Sequence, residues 1–230
     1  MNATAEPRAI ARPGTHEKLL SLLADEKPGQ VLDVPAGQGA MAAQLLKRGF
    51  QPVCLDINAE NFKVPEATFI HADMNQPFPV ESGRFDYVVC GDGIEHFENP
   101  RHAVREMARV LKLGGKALLS FPNMLNVEQR VRLLNFGFSA HYKPNAPDHF
   151  NPLPYYEVHS VLVQNGFKIA TLTTNRIKKG SWLLFSLVLW IRLCAALTSA
   201  EKRERYLLKW LTSTPVLMGE KVILKAEKIR

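Results

Sequence analysis

Short apolar runs alternate with amphipathic stretches along residues 15–121. Residues 15–24 place Leu19, Leu20, Leu22 and Leu23 on one face at helical spacing, with Thr15 as the expected N-cap. Residues 30–34 then read as a buried strand, 39–48 as a helix stopped by Gly49, and 52–56 as a second strand. A short helical segment is expected at 59–62 and a third strand at 68–71. Residues 85–91 form a continuous apolar run, as in a strand covered on both faces. A helix over 100–111, with Pro100 at its start and Gly114-Gly115 beyond its end, precedes a fifth strand at 116–121.

The pattern then loosens. Residues 125–134 read as a helix and 135–154 as a long loop rich in Pro, Asn, His and aromatics, expected to cap a site. A helix at 155–165, closed by Gly166, leads into a strand at 167–173. Residues 182–197 are apolar on nearly all sides, 201–210 form a basic helix, and 216–226 a last strand. Strands alternating with helices predict a parallel sheet with right-handed crossovers, whose ligands bind at the carboxyl ends of the strands. The expected organisation is one domain over 1–230, with a loose tail at 1–13, a cap loop at 135–154 and a helical insertion at about 176–212.

Composition bounds the reading without deciding it. Hydrophobic content of 46% and charged content of 22% are ordinary for a globular chain with a sizeable core. Cys54, Cys90 and Cys194 are far apart and odd in number, which favours free thiols in a reducing compartment over a disulfide or a metal site. The start of the chain lacks a long apolar run, so no signal peptide is expected. The net charge of +7 is unevenly placed: residues 176–230 hold 12 of the 29 Lys/Arg but only 4 of the 22 Asp/Glu. Such a basic quarter meets phosphates, nucleic acid or anionic lipid, or is a solvated face.

Candidate chemistry gathers where the first strands end. Asp33 closes the first strand, and the turn through Gly37 and Gly39 gives a ligand close access to backbone and to a helix N-terminus. Asp56 closes the second strand, where an acid accepts ribose hydroxyls, and Asp73 with Met74 follows the third, placed for an adenine amine and ring. Three acids at three successive strand ends point to an adenosine ligand with an added cationic group. The rival on such a sheet is a nicotinamide dinucleotide, since Gly37-Gln-Gly39-Ala-Met-Ala42 fits Gly-x-Gly-x-x-Ala; Asp33 and Asp73 oppose it.

These stretches, together with Phe85-Asp-Tyr-Val-Val-Cys90, Glu95-His96 and Leu111-Lys-Leu-Gly-Gly-Lys-Ala117, resemble the class I S-adenosylmethionine-dependent methyltransferases over roughly residues 15–175. The resemblance implies a Rossmann-like α/β fold: a seven-stranded, mostly parallel sheet with an antiparallel last strand, helices on both faces, and the helical insertion between the last two strands. It implies S-adenosylmethionine as cofactor, held by Asp33, Pro35, Gly37, Gly39, Asp56, Ile57, Asp73, Met74 and Gly91. One departure stands out: Pro35 replaces the family's first glycine and removes one backbone N–H.

On the acceptor side, His149 and His96 are the candidate catalytic residues, and Asn123, His141 and Asp148 the candidate substrate residues. Asp92 and Glu95 also follow the fourth strand; His96 has a bland alternative as a helix cap, and Asn123 and Asn126 as turn formers. His16 is a further histidine, with a solvated helix position as its alternative. Asn151-Pro-Leu-Pro154 superficially resembles a motif of DNA methyltransferases, but stands at the wrong strand, so no DNA-type motif is present. The insertion holds all three tryptophans, Trp182, Trp190 and Trp210, among basic residues. Its 16-residue apolar run, interrupted by Arg192, is too short to span a bilayer; it suits an anionic membrane surface, a lid or a dimer interface. Two stretches, Ser120–Asn123 with Arg130–Leu134 and Leu217–Ala226, resemble small bacterial methyltransferases of envelope glycan, lipopolysaccharide or quinone pathways. The expected function is O-methylation of a polar, envelope-linked acceptor by a cytoplasmic enzyme, peripheral on the inner membrane face. The alternative is a non-catalytic binding protein on the same fold, docking an anionic partner or nucleotide.

Overall fold

The computed structural model describes residues 6–137, 151 and 153–230. Seven strands form one sheet in the order β3-β2-β1-β4-β5-β7-β6. They are β1 (Gln30–Asp33), β2 (Gln51–Asp56), β3 (Thr68–His71), β4 (Phe85–Gly91), β5 (Leu111–Pro122), β6 (Phe167–Thr173) and β7 (Lys221–Lys228). The first five run parallel; β7 lies antiparallel between β5 and β6. The order reverses between β1 and β4, so the crevice for a ligand opens there, above Asp33 and Gly91.

The core follows from the period of two along each strand. Leu32, Val88, Leu119 and Leu224 face one side of the sheet; their neighbours Val31, Val89, Leu118 and Ile223 face the other. The first side is covered by α3 (Pro100–Val110) and α5 (Tyr155–Gln164) through Val104, Met107, Val158 and Leu162. The second is covered by α1 (Thr15–Ser21) and α2 (Ala40–Leu46) through Leu19, Leu20, Met41 and Leu45. Because both faces are covered, the central strands lack the polar alternation of a half-exposed sheet.

Several boundaries differ from the pattern-based expectation. Gly14, not Thr15, caps α1, with φ of 83°; the buried Thr15 hydroxyl has no partner. Within the tail expected at 1–13, of which residues 6–13 are described, Arg8 N donates to Gln38 Oε1 at 2.9 Å and Asn175 Nδ2 to Pro13 O at 3.3 Å. Helix α4 (Val127–Phe136) starts at the side-chain cap Asn126 and runs past the expected loop start at 135. Residues 216–218 lie not in the last strand but in α10 (Thr214–Met218), where Pro215 suits a first turn and the buried Val216, Leu217 and Met218 mimic a strand's apolar run.

The insertion is broken into short pieces. The apolar stretch forms α6 (Lys179–Leu183) and α7 (Phe185–Leu197), divided at Leu184. The basic stretch forms α8 (Ala200–Arg205) and α9 (Leu208–Leu211), divided at Leu207, whose φ is 54°. No helix among the described residues is long and apolar enough to cross a membrane.

Candidate functional site

Two loops face each other across the crevice between β1 and β4. The first runs from Val34, through a cis bond to Pro35, to Gly39 at the start of α2. Gly39 has φ of 85°, and a Cβ there would stand 2.6 Å from Val64 Cγ2, so only glycine lets this turn close. Gly37 is open on its outer side, where the nearest group is Ile10 of the N-terminal segment, 3.8 Å from where a Cβ would stand. The second loop begins at Gly91. At Gly93 a Cβ would stand 2.1 Å from Pro35 Cδ, so the two loops touch.

Asp33 and Asp56 lie beneath the first loop. Asp56 accepts from Gly37 N at 2.7 Å through one oxygen and from Asn58 N at 2.8 Å through the other, which pins the glycine turn over β2. Asp33 is 2% exposed, and its Oδ2 has no hydrogen-bond partner. Burial pushes its carboxyl up to about 8, the Asp56 charge adds to this, and the Ala42 N–H partly offsets it. A buried carboxylate oxygen without a donor costs ~1–3 kcal/mol and is satisfied most simply by a cation. Ile57, 63% exposed beside Asp56, offers an apolar face to a flat ring. Asp73 is half-buried and spends one oxygen on Asn75 N at 2.9 Å. Met74 is buried in the main core, so it has little surface to offer a ring. Gly91 is half-buried at the end of β4.

This arrangement fits S-adenosylmethionine. The orphaned Asp33 oxygen suits a cationic ligand group, Asp56 stands beneath the glycine turn at the end of β2, and Gly37 leaves the approach open.

A second polar cluster lies at the same edge of the sheet, on the β4–β5–β7 side. Asp92 has φ of 51°; its oxygens accept from Ser120 Oγ at 2.7 Å and pair with Lys221 Nζ at 2.9 Å. Glu95, 2% exposed in the 3-10 turn Ile94–His96, has no hydrogen bond on either oxygen; Lys221 Nζ stands 3.7 Å from its Oε1. Burial pushes the Glu95 carboxyl up to about 7, with Lys221 pulling it down and Asp92 pushing it further up. His16 is half-buried rather than solvated; burial lowers its pKa against the pull of Asp92. His96 is half-buried, and its backbone N–H closes the turn on Gly93 O at 3.0 Å. Asn151 N donates to Glu95 O at 3.2 Å and its side chain to Phe97 O, so the end of the expected cap is fastened to this turn. His141, Asp148 and His149 lie outside the described residues.

Asn123 has a different job from the acceptor contact expected of it. It is fully buried, and its Nδ2 reaches the carbonyls of Pro215, Val216 and Gly219 at 3.1, 2.9 and 2.9 Å. Its oxygen accepts from Leu125 N at 3.0 Å, so one end of the amide holds α10 and the other its own turn after β5. Asn126 likewise caps α4 through Gln129 N and reaches Asn123 O. Lys221 and Ser120 escaped the sequence reading. Lys221 looked like the interior of a strand, and only the antiparallel placement of β7 brings it to the edge.

Residues 32–119 match the family model described as a methyltransferase domain. By this match residues 32–119 are similar to methyltransferase domains, and S-adenosylmethionine is the methyl donor that such a domain implies. The chain is 28% identical over 130 residues to a ubiquinone biosynthesis O-methyltransferase of Xanthomonas oryzae pv. oryzae, covering 53% of this chain and 54% of the relative. The chain thus matches about half the length of this curated relative. Among solved structures it is similar to a SAM-dependent methyltransferase from Archaeoglobus fulgidus, with TM-score 0.61, 16% identity, and 93% and 94% of the two chains covered. It is equally similar to the [4+2]-cyclase SpnF, with TM-score 0.63, 16% identity, and 96% and 89% covered. At such identities these structures show the fold alone.

Proposed function

We propose that the protein transfers a methyl group from S-adenosylmethionine to a hydroxyl of a polar, envelope-linked acceptor: a glycan, lipopolysaccharide or lipid precursor. The observation that carries the donor half is the orphaned Asp33 oxygen beneath the glycine turn that Asp56 pins. Bound, the cofactor supplies an electrophilic methyl group on a sulfonium. In this reading Asp33 holds the ammonium, Asp56 the ribose hydroxyls, and Ile57 and Asp73 the adenine, with Pro35, Gly37, Gly39, Met74 and Gly91 shaping the pocket. The Asp92–Glu95–Lys221 cluster supports oxygen as the methylated atom. A weakly acidic hydroxyl needs a base, and a buried carboxyl raised to about 7 accepts a proton near neutral pH. The O–H bond breaks, the proton passes to the carboxylate, and the oxygen is left as the nucleophile. The relative's description as an O-methyltransferase supports the same atom. His149, His141 and Asp148 complete the acceptor wall in this proposal, His96 a second basic group. The basic insertion rests on the inner, anionic face of the membrane, where an envelope precursor is met.

Isothermal titration with S-adenosylhomocysteine tests the donor half. The wild type binds, and Asp56→Ala, which frees the N–H groups of Gly37 and Asn58, weakens binding at least ~10-fold. Undiminished binding by the variant would sink the assignment. Formation of S-adenosylhomocysteine with an envelope extract, retained after the extract is depleted of protein, tests the acceptor half.

A further inference from the structure

The described residues contain a cavity of about 500 Å³ lined by residues of the insertion alone. It opens between α7, α8 and α9; Arg192, Arg203, Lys209 and Trp210 supply its polar and aromatic wall, Ala196 and Leu207 part of its apolar wall. Glu204 is its one acidic lining residue. The cations are held by neutral groups. Arg192 donates to Thr212 O at 3.1 Å and Thr214 Oγ1 at 2.8 Å, Arg203 to Ala196 O at 3.2 Å, and Lys209 lies 5.6 Å from the centre of the Trp210 ring. Among the described residues no carboxylate forms an ion pair with any of the three, whereas the neighbouring Arg205 is paired with Glu201. Three cations around an apolar-floored cavity leave a concentrated positive potential for an anion that carries a greasy part.

The surroundings say where that anion comes from. On α6 and α7, Trp182, Leu183, Leu189, Trp190, Leu193 and Leu197 are exposed, Leu183 by 88%. Helix α7 has 13 residues, about 20 Å at the helical rise, so it can lie along a bilayer surface but not cross it. Val188 is fully buried and Leu187 and Ile191 are partly buried in the cluster with Leu217 and Met218, while Leu189, Trp190, Leu193 and Leu197 stay exposed. Apolar side chains beside unpaired basic groups match the acyl–headgroup boundary.

We infer that this cavity binds the phosphate of a single anionic phospholipid while the exposed face of α6 and α7 enters the acyl boundary around it. The inference rests on the membrane part of the function proposed above and is independent of methyl transfer. It converts a diffuse basic surface into one site with a definite ligand: the phosphodiester is held by Arg192, Arg203 and Lys209, and the glycerol and first methylenes lie on Ala196 and Leu207.

Vesicle flotation of the full chain tests it, with vesicles of about one quarter phosphatidylglycerol in phosphatidylcholine against phosphatidylcholine alone. Two double variants lose the same charge: Arg203→Gln with Lys209→Gln at the cavity, and Lys47→Gln with Arg48→Gln beyond α2, away from the insertion. The wild type and the Lys47/Arg48 variant float with the anionic vesicles, and the cavity variant loses binding by ~30-fold, the scale of two basic groups at an anionic surface. Equal losses in the two variants would reduce the site to net charge and overturn the inference. So would equal flotation with neutral vesicles, or release from anionic vesicles by millimolar inorganic phosphate, which would make it a free-anion site. Release by RNA at equal charge would overturn it in favour of nucleic acid. S-adenosylhomocysteine titration of each variant reads folding and the donor site separately, so loss of flotation with normal titration concerns the cavity alone.

Discussion

Asp33→Asn should make the ligand-free protein more stable at neutral and alkaline pH while damaging its donor site. In the folded chain the carboxyl is pushed up to about 8 from an ordinary 3.8, first by burial and then by Asp56. An acid whose folded pKa is raised favours the folded state only while it is protonated. That advantage is complete below about pH 4 and is lost progressively as pH rises to about 8. At ~1.4 kcal/mol per unit, the roughly three units between 3.8 and pH 7 correspond to ~4 kcal/mol of lost stability, and the full window to ~6. Relaxation and water entry reduce such buried-charge costs, so about half, ~2–3 kcal/mol at pH 7, is the working figure. Asparagine does not titrate, can still accept from Ala42 N–H, and resembles the protonated acid in shape. At ~2–4 °C per kcal/mol for a chain of this size, the variant should melt ~4–12 °C above the wild type at pH 7 and level with it near pH 4.

The same change removes the charge that meets a ligand ammonium group. A charge-assisted hydrogen bond contributes ~1.5–3 kcal/mol, so S-adenosylhomocysteine affinity should fall ~10–100-fold. Binding to the wild type at pH 7 should also release close to one proton, because the protonated Asp33 must ionise to pair; the variant should release none. Thermal melts from pH 4 to pH 8 and titration calorimetry in buffers of different ionisation heat read both effects. A melting difference that stays constant over that pH range would refute the raised Asp33 pKa, and unchanged affinity would refute its contact with the ligand.

Three other perturbations address separate parts of the fold. Gly93→Ala drives a methyl group into Pro35 Cδ, 2.1 Å from the new Cβ position, so it should weaken S-adenosylhomocysteine binding more than ~10-fold while costing only ~1–3 kcal/mol in a urea melt. Glu106 accepts from Phe78 N at 2.7 Å and pairs with Arg109 at 2.7 Å; burial pushes its carboxyl up, but these bonds hold it below its ordinary value. Glu106→Gln should therefore cost ~1–3 kcal/mol at pH 7, a difference that urea melts show shrinking as pH falls through the depressed pKa. Asn123→Ala orphans three carbonyls in α10 and the turn after it, and should lower stability by ~2–4 kcal/mol in the same assay. Where the protein remains folded, that variant should keep its S-adenosylhomocysteine affinity, because Asn123 acts on α10 and not on the donor site.

The two halves of the site were not equally legible in the sequence, and the reason is local versus long-range placement. Asp33, Asp56 and Asp73 were readable because each ends or follows a parallel strand whose neighbours in sequence fix its direction. A strand followed by a helix leaves its last residue at the carboxyl edge whatever the rest of the fold does. Lys221 obeys no such rule. It reaches the same edge because β7 is inserted in reverse between β5 and β6, pairing Lys221 with Pro122; the family resemblance implied that reversal, but the period of the run from Val216 to Ala226 does not show which of its residues stands at the edge. The boundary was hidden as well, since the buried residues of α10 have a strand's composition and are kept helical by Asn123, more than 90 positions away in the chain. The same insertion explains why Asn123 misled: a polar residue just after a strand normally faces ligand, but here α10 and the turn after it fold over its Nδ2, and Leu125 N occupies its oxygen. Glu95 shows the complementary case. Its position after β4 was plain from the pattern, yet its protonation near neutral pH follows only from burial beside Asp92 and Lys221, which the end of β4 and the start of β7 bring together.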